Sequence, residues 1–169
     1  MINNKKVSFS RFELSFIQKL LCIMLLLTGV SFDAHSQNDT VQIKSTITKM
    51  FGGMASFDSS MVRQTLAGGC ILKSIIPSKG GEIIIKDESA SAFLQIIGTK
   101  NPGLTFDERI LSYRILIDGA MAVAWTPYLF YLNDTFSHCG VNVFTMVKVY
   151  DQWKILSITD TRRKSDCNE

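Results

Sequence analysis

The sequence predicts an α+β protein: a strongly curved antiparallel sheet of about six strands, the last four a meander, wrapped around N-terminal helices. Three observations predict it. Apolar residues at helical spacing are confined to the first hundred positions. From residue 107 to residue 163 the chain instead reads as long β-rich runs joined by Asp118-Gly119, Asn133-Asp134 and Asp151-Gln152. Strands of that length must coil, which bends the sheet into a half-open cone; helices closing one side of its mouth leave a pocket.

The chain opens on a targeting pattern. Lys5, Lys6, Arg11 and Lys19 face a single acid, Glu13, before an apolar run from Leu20 to Val30 and then Ala34-His35-Ser36. Basic, apolar, small is the order of a secretory signal, with cleavage expected after Ser36. The apolar run is 11 residues, whereas a membrane span needs roughly 20. Cys22 sits at the start of that run, where a lipoprotein signal would place its cysteine after it. Residues 37–169 are therefore expected to form a single exported domain, periplasmic or secreted, with no membrane contact after cleavage.

The leader holds four of the 18 basic residues and two of the 15 acidic ones, so the remaining domain is close to neutral. That excludes the electrostatic footprint of a nucleic-acid binder. Arg162-Arg163-Lys164 is a local basic cluster, read equally as a solvated strand end or an anion site.

Asn38-Asp39-Thr40 offers N-cap side chains for a first helix, with Ile43, Ile47, Met50, Phe51 and Met54 on one face. Asp58 caps a second, ending at Gly68-Gly69, with Met61, Val62, Thr65 and Leu66 inside. Cys70–Ile76 and Glu82–Lys86 read as strands around a Pro77–Gly81 turn. Ser89 caps a third helix carrying Phe93, Leu94, Ile96 and Ile97. Four strands follow: 107–117, 120–132, 135–150 and 153–163, with Pro127 suggesting a bulge in the second.

Beyond the leader, Cys70, Cys139 and Cys167 remain. An oxidising compartment permits one bridge and leaves one thiol. With the turn at Asp151-Gln152, Cys139 faces Lys164, and a tail folding back brings Cys167 within the roughly 4.4–6.8 Å Cα separation of a disulfide. The alternative is three buried or free thiols.

Taken together, Trp125-x-Pro127-Tyr128, Ser137-His138-Cys139-Gly140-Val141-x-x-Phe144, Trp153-x-Ile155 and Asp160-Thr161-Arg162-Arg163 resemble the nuclear-transport-factor-2-like, or cystatin-like, α+β cone. More narrowly, they are similar to its exported bacterial branch named for lumazine binding. The resemblance covers about 40–165. It implies the fold, a ligand pocket and homodimerisation through the outer sheet face. It implies no reaction, because that superfamily holds isomerases, dehydratases, cyclases and non-catalytic binders.

Extending the register from the turns puts Trp125, Leu129, Tyr131, His138, Asn142, Phe144, Met146, Trp153, Ile155, Thr159 and Thr161 on the face with the large aromatics, taken as the cavity wall. The opposite face carries small and β-branched residues suited to a dimer. A bulge at Pro127 would swap parity and bring Tyr128, Asp160 and Arg162 inward instead. The candidate ligand-binding residues are therefore Trp125, Tyr128, His138, Asn142, Phe144, Asp160, Thr161 and Arg162.

Each has a structural alternative. His138, the one histidine beyond the leader, is a base or donor, or a structural hydrogen-bonding group. Asp160 with Arg162 or Arg163 anchors a polar ligand or ties a strand end. Trp125 and Trp153 stack a ligand or fill the core. No serine has a nucleophile-elbow pattern, no histidine–cysteine set has metal spacing, and the glycine pairs form no phosphate loop. No cofactor, metal or catalytic residue is expected.

Three functions compete: an exported binder of a small apolar or aromatic molecule, without chemistry; an interaction dimer with a filled cavity; and an isomerase- or dehydratase-like enzyme using His138 or Asp160 as base. They are expected in that order, since His138 and Asp160 both fall near the rim.

Overall fold

The computed structural model describes residues 31–99, 101 and 103–167, with side chains from residue 37 onward. Contacts within the chain divide it into two units, residues 1–38 and Asp39–Glu169. The signal segment expected over 1–36 lies outside the described residues, apart from the helical backbone of 31–36.

Among the described residues, three helices and seven strands follow one another as α1 (Ser31–Ala55), α2 (Ser59–Thr65), β1 (Leu66–Pro77), β2 (Ile83–Ser89), α3 (Ala90–Gly98), β3 (Phe106–Ile110), β4 (Arg114–Asp118), β5 (Met121–Leu132), β6 (Thr135–Val149) and β7 (Gln152–Thr161). The strands form one sheet in the order β2-β1-β7-β6-β5-β3, with β4 also on β5. The last strands are the expected meander. One pair is parallel, β1 with β7, so the C-terminal strand lies inside the sheet and not at its edge.

The helix faces follow the sequence pattern. Ile43, Ile47 and Met50 of α1 are buried against Val62, Leu94, Ile97, Phe144, Met146, Trp153 and Ile155. A buried side chain of this size contributes about 1.5–3 kcal/mol. Phe51 meets Phe144 edge to face at 6.0 Å. Asp58 and Ser89 cap α2 and α3, accepting from the backbone N–H of Met61 (2.9 Å) and Ala92 (3.1 Å). Gly53 lets α1 and α2 approach: a Cβ there would stand 2.7 Å from Val62.

Several sequence expectations need correction. Asp39 is not an N-cap, because α1 begins at Ser31. Its carboxylate accepts instead from Lys148 Nζ (2.7 Å) and Trp153 Nε1 (3.0 Å), tying α1 to β6 and β7. Gly68-Gly69 lies within β1, where Gly69 has φ +74° and the pairing with β7 shifts register. Ile96, expected inside, is 53% exposed.

The expected single strand over 107–117 is two. Pro127 on the facing strand has no N–H to give the ladder. Between Ile110↔Tyr128 and Arg114↔Trp125, three residues face two, and Leu111 N–H bonds the Pro127 carbonyl at 2.9 Å. The irregularity therefore falls on the partner, and β5 keeps its own alternation.

The parity changes come from elsewhere. Asn133 and Asp134 both have left-handed φ, as a two-residue hairpin loop requires. Just beyond them, the β5–β6 register shifts between Phe130 and Tyr131, leaving Ser137 as the extra residue. The next loop is Tyr150-Asp151, with Val149 facing Gln152, one residue earlier than expected. A second shift on β7 makes Leu156 the extra residue.

Candidate functional site

The concave face of the sheet and the inner faces of α1 and α3 enclose a cavity of about 220 Å³. Even-numbered residues of β5, and those of β6 from His138 onward, point into this side. On β7, Trp153 and Ile155 do so before the bulge and Ile158 and Asp160 after it, with Arg162 just past the strand's end. The cavity has an apolar side built on Met50, Phe93, Phe106, Phe130 and Phe144. Its polar side carries Ser74, Glu108, Tyr128, His138, Asn142, Asp160 and Arg162.

Six of the eight sequence-derived candidates thus meet in one cavity: Tyr128, His138, Asn142, Phe144, Asp160 and Arg162. Two do not. Trp125 is 50% exposed on the convex face, beside Arg114, Leu116 and Val123. Thr161 turns away from the cavity lining, and its Oγ1 accepts from the Val141 N–H at 3.2 Å. Both misplacements have one cause: the turns fixed a register that the bulges at Ser137 and Leu156 then shifted.

The polar side is a connected network. Asp160, buried, accepts from Ser74 Oγ at 2.6 Å and from Arg162 Nε at 2.7 Å. Arg162 Nη2 donates to Ser74 Oγ at 2.9 Å. Tyr128 donates to the Thr161 carbonyl at 3.0 Å, with Asp160 Oδ2 a longer 3.4 Å away. Burial works against the Arg162 charge, but the hydrogen bond and charge of Asp160 outweigh it and raise its pKa. Burial, with Asp160 nearby, raises that of Tyr128.

Gly140 makes this arrangement possible. A Cβ there would lie 1.7 Å from the Thr161 carbonyl oxygen and 3.1 Å from the Tyr128 ring. Only glycine lets β6 pass so close beneath Tyr128. The preceding residue, Cys139, pairs by backbone with Arg163 and is bonded to Cys167, with Cα atoms 5.7 Å apart. Cys70 is a free, buried thiol whose pKa burial pushes up to about 11.

His138 packs against Phe130 (5.0 Å between ring centres) and Tyr128 (5.7 Å), and its Nδ1 lies 3.1 Å from Ser137 Oγ. Burial and then Arg162 lower its pKa, favouring the neutral ring.

One cavity group escaped the sequence reading. Glu108 of β3 receives a 2.6 Å hydrogen bond from Asn142 Nδ2 on its Oε1. Water reaches part of the side chain, yet the surrounding protein strips enough solvent to push its carboxyl up to about 8. Asn142 opposes that shift and Asp160 adds to it. The available signal was alternation: Phe106, Glu108 and Ile110 share a face, and Phe106 is apolar.

A larger hollow of about 490 Å³ is a surface trough between α1, α2 and the β6–β7 turn. Its lysines are engaged there, Lys49 with Gln64 Oε1 and Lys154 with the Gln64 carbonyl, each at 2.7 Å. It lacks the apolar wall and the buried polar network of the smaller cavity. Among the described residues, no three histidine, cysteine or acidic groups stand together as a metal set, and no helix is long and apolar enough to cross a membrane.

No protein-family model matches the chain, and no curated protein does. Solved structures do. An NTF2-like protein with a cystatin-like fold from Novosphingobium aromaticivorans superposes with a TM-score of 0.63 at 12% identity, over 83% of this chain and 92% of that one. A protein from Streptomyces avermitilis, described as a candidate dehydratase of the NTF2-like family, gives 0.59 at 11% identity over 77% and 99%. An NTF2-like protein of unknown function from Shewanella baltica gives 0.56 at 16% identity over 76% and 96%. At these identities the likeness carries architecture and no activity. The curved mixed sheet, the three helices and these superpositions together give the chain the NTF2-like, cystatin-like α+β fold.

Proposed function

We propose that the protein is an exported binder of small molecules, and that its ligand is a compact, largely apolar ring compound held in the 220 Å³ cavity. One observation carries the reading: a single hollow joins an aromatic wall to a hydrogen-bonded polar strip, the usual composition of a ligand site. Export is supported by the basic, apolar, small order of residues 1–36 and by the Cys139–Cys167 bond, which suits an oxidising compartment. A second copy of the chain is the proposed partner for the convex face, where Leu116 is 64% exposed and Trp125 50%. Lumazine-like ligands stay within the proposed class as one group to be tried.

The test is a thermal-shift titration with pteridines, flavin precursors, sterols and aromatic acids. A melting temperature that climbs with ligand concentration is expected, and Leu72→Trp, which fills the cavity from its β1 wall, removes the rise. A well-folded protein indifferent to every compound would instead favour the filled-cavity interaction reading.

Glu108 favours a second reading, a proton-transfer enzyme of isomerase or dehydratase type. Its carboxyl, pushed up to about 8, is poised near neutrality, whereas the Asp160 carboxyl is taken up by Ser74 and Arg162. Hydrogen–deuterium exchange at a carbon of a bound ligand, lost in Glu108→Gln, would establish it. Binding without exchange would leave the non-catalytic reading standing.

A further inference from the structure

We propose that the outer edge of β2 is a second self-association surface, on which another copy of this chain adds its own β2 antiparallel and joins the two sheets into one. This surface is separate from the cavity and from the convex face, and it depends on neither.

The two ends of the sheet are built differently. At one end lie β3 and β4, two strands of five residues each on β5, carrying Asp107, Arg109 and Arg114. Short, charged and interrupted strands keep an edge from pairing. At the other end lies β2, seven residues with Ile83-Ile84-Ile85 in succession and no proline. Ile83 is 66% exposed, Ile84 46% and Ile85 65%. Among the described residues, no strand lies beyond it.

Backbone parity decides which groups this edge offers. The Ser78 N–H bonds the Glu82 carbonyl at 2.7 Å, one step beyond the Pro77↔Ile83 pair. Hydrogen-bonded pairs alternate along an antiparallel ladder. Ile84, Lys86 and Glu88 therefore direct their N–H and C=O groups to β1, opposite Ile76, Ser74 and Leu72. Ile83, Ile85 and Asp87 direct theirs outward. Pro77, which has no N–H, faces Ile83, where none is needed. The outward groups meet no partner among the described residues.

The side chains favour a second copy. Read backward, Glu82-Ile83-Ile84-Ile85-Lys86 sets acid on base and isoleucine on isoleucine. With a two-fold axis through Ile84, Glu82 stands opposite Lys86 of the second copy, and Lys86 opposite its Glu82. Ile83 and Ile85 then face each other across the seam as hydrogen-bonded pairs that use the outward groups. Glu88 lines the cavity, so Glu82, Ile84 and Lys86 share the concave side, and Ile83, Ile85 and Asp87 the convex one. Among the described residues, neither Glu82 nor Lys86 has an ion pair, whereas Asp87 is held by Lys73 at 2.6 Å. Outward residues pair only with outward residues, so the axis must pass through a residue. Through Ile85 it would set Glu82 on Glu88, through Lys86 lysine on lysine, and through Ile83 Glu82 on Ile84. Charge selects Ile84.

The experiment is run in Trp125→Ala, which takes the aromatic anchor from the convex face. A single strand edge is a small interface, so sedimentation equilibrium follows a concentration series into the millimolar range. Trp125→Ala should form dimers there. Adding Glu82→Lys or Lys86→Glu sets like charges opposite each other at both ends of the seam and should weaken the dimer at least about tenfold. Mixing those two variants restores both opposite-charge pairs, and the mixture should associate as tightly as the parent. Amide hydrogen exchange at Ile83 and Ile85 should slow about tenfold as the dimer forms, while Ile84, already bonded to β1, should not change. Ile85→Pro removes an outward N–H and no bond within the chain, and should abolish the dimer at little cost to the melting temperature. If that variant does not fold, the charge variants decide alone.

A monomer at every concentration overturns the proposal. So does a dimer that the charge changes leave intact or that mixing fails to restore. Growth past the dimer into fibrils would mean open stacking of the isoleucine strand and overturns it too. None of these outcomes bears on the binding function.

Discussion

The same strands, β5 to β7, present two unlike surfaces. Their concave side is closed and specific: Phe144 is wholly buried, and Asn142 and Asp160 are held in hydrogen bonds beneath the helices. Their convex side carries Trp125, Met121 and Leu156 with 42–51% of their surface in water. What holds the first is mutual fit among particular atoms. What marks the second is apolar area with little contact inside its own chain. A substitution on the concave side should therefore register as lost stability, and one on the convex side as altered association.

The largest effect should come where the comparison itself can be broken. Gly140 lies at the joint of β6, β7 and Tyr128, and any side chain there drives into the Thr161 carbonyl. Backbone cannot yield as a flexible side chain does. Gly140→Val should cost at least about 4 kcal/mol, near the whole stability of a small domain. Circular dichroism should show no cooperative melting transition. A variant melting within a few degrees of the native protein would mean that β6 and β7 can separate locally, and that the two faces do not depend on one register.

Next is Phe144→Ala, which addresses the concave face alone. A fully buried phenylalanine touching Phe51 and the α1 residues should cost about 3–5 kcal/mol when truncated. Chemical denaturation measures it, and sedimentation at native concentration should show the same oligomeric state before and after. A loss under about 1 kcal/mol would mean that the cavity next to Phe144 already absorbs such a change.

These faces were unequally legible in the sequence. Helix stripes such as Ile43, Ile47 and Met50 could be read directly, because the 3.6-residue period does not depend on distant partners. The caps at Asp58 and Ser89 are equally local. Strand faces were readable only in alternation, not in sign. A single extra residue at Ser137 or Leu156 exchanges inside for outside, and neither has a residue type that announces a bulge. Pro127 did announce one, but the irregularity fell on the strand facing it. Glu108 was hidden by its own charge: in isolation a glutamate reads as solvent-facing, and its place beside Asn142 exists only once β3 pairs with β5.

Trp125→Ala carries the smallest expected effect on the single chain and tests the convex face most sharply. Half of the residue's surface is in water, and its neighbours Arg114, Leu116 and Val123 line an open groove on the convex face. Truncation should therefore cost under about 1 kcal/mol in a unimolecular melt. If a second copy covers this face, the same change removes a large aromatic anchor from each side of a two-fold contact, and such anchors dominate interface energies. Sedimentation velocity should then shift the population from dimer to monomer at a concentration where the native protein is paired, with little change in the melt at high dilution. Unchanged sedimentation together with a loss above about 2 kcal/mol would reverse the assignment: Trp125 would be supporting its own fold, and the convex face would not be where two chains meet.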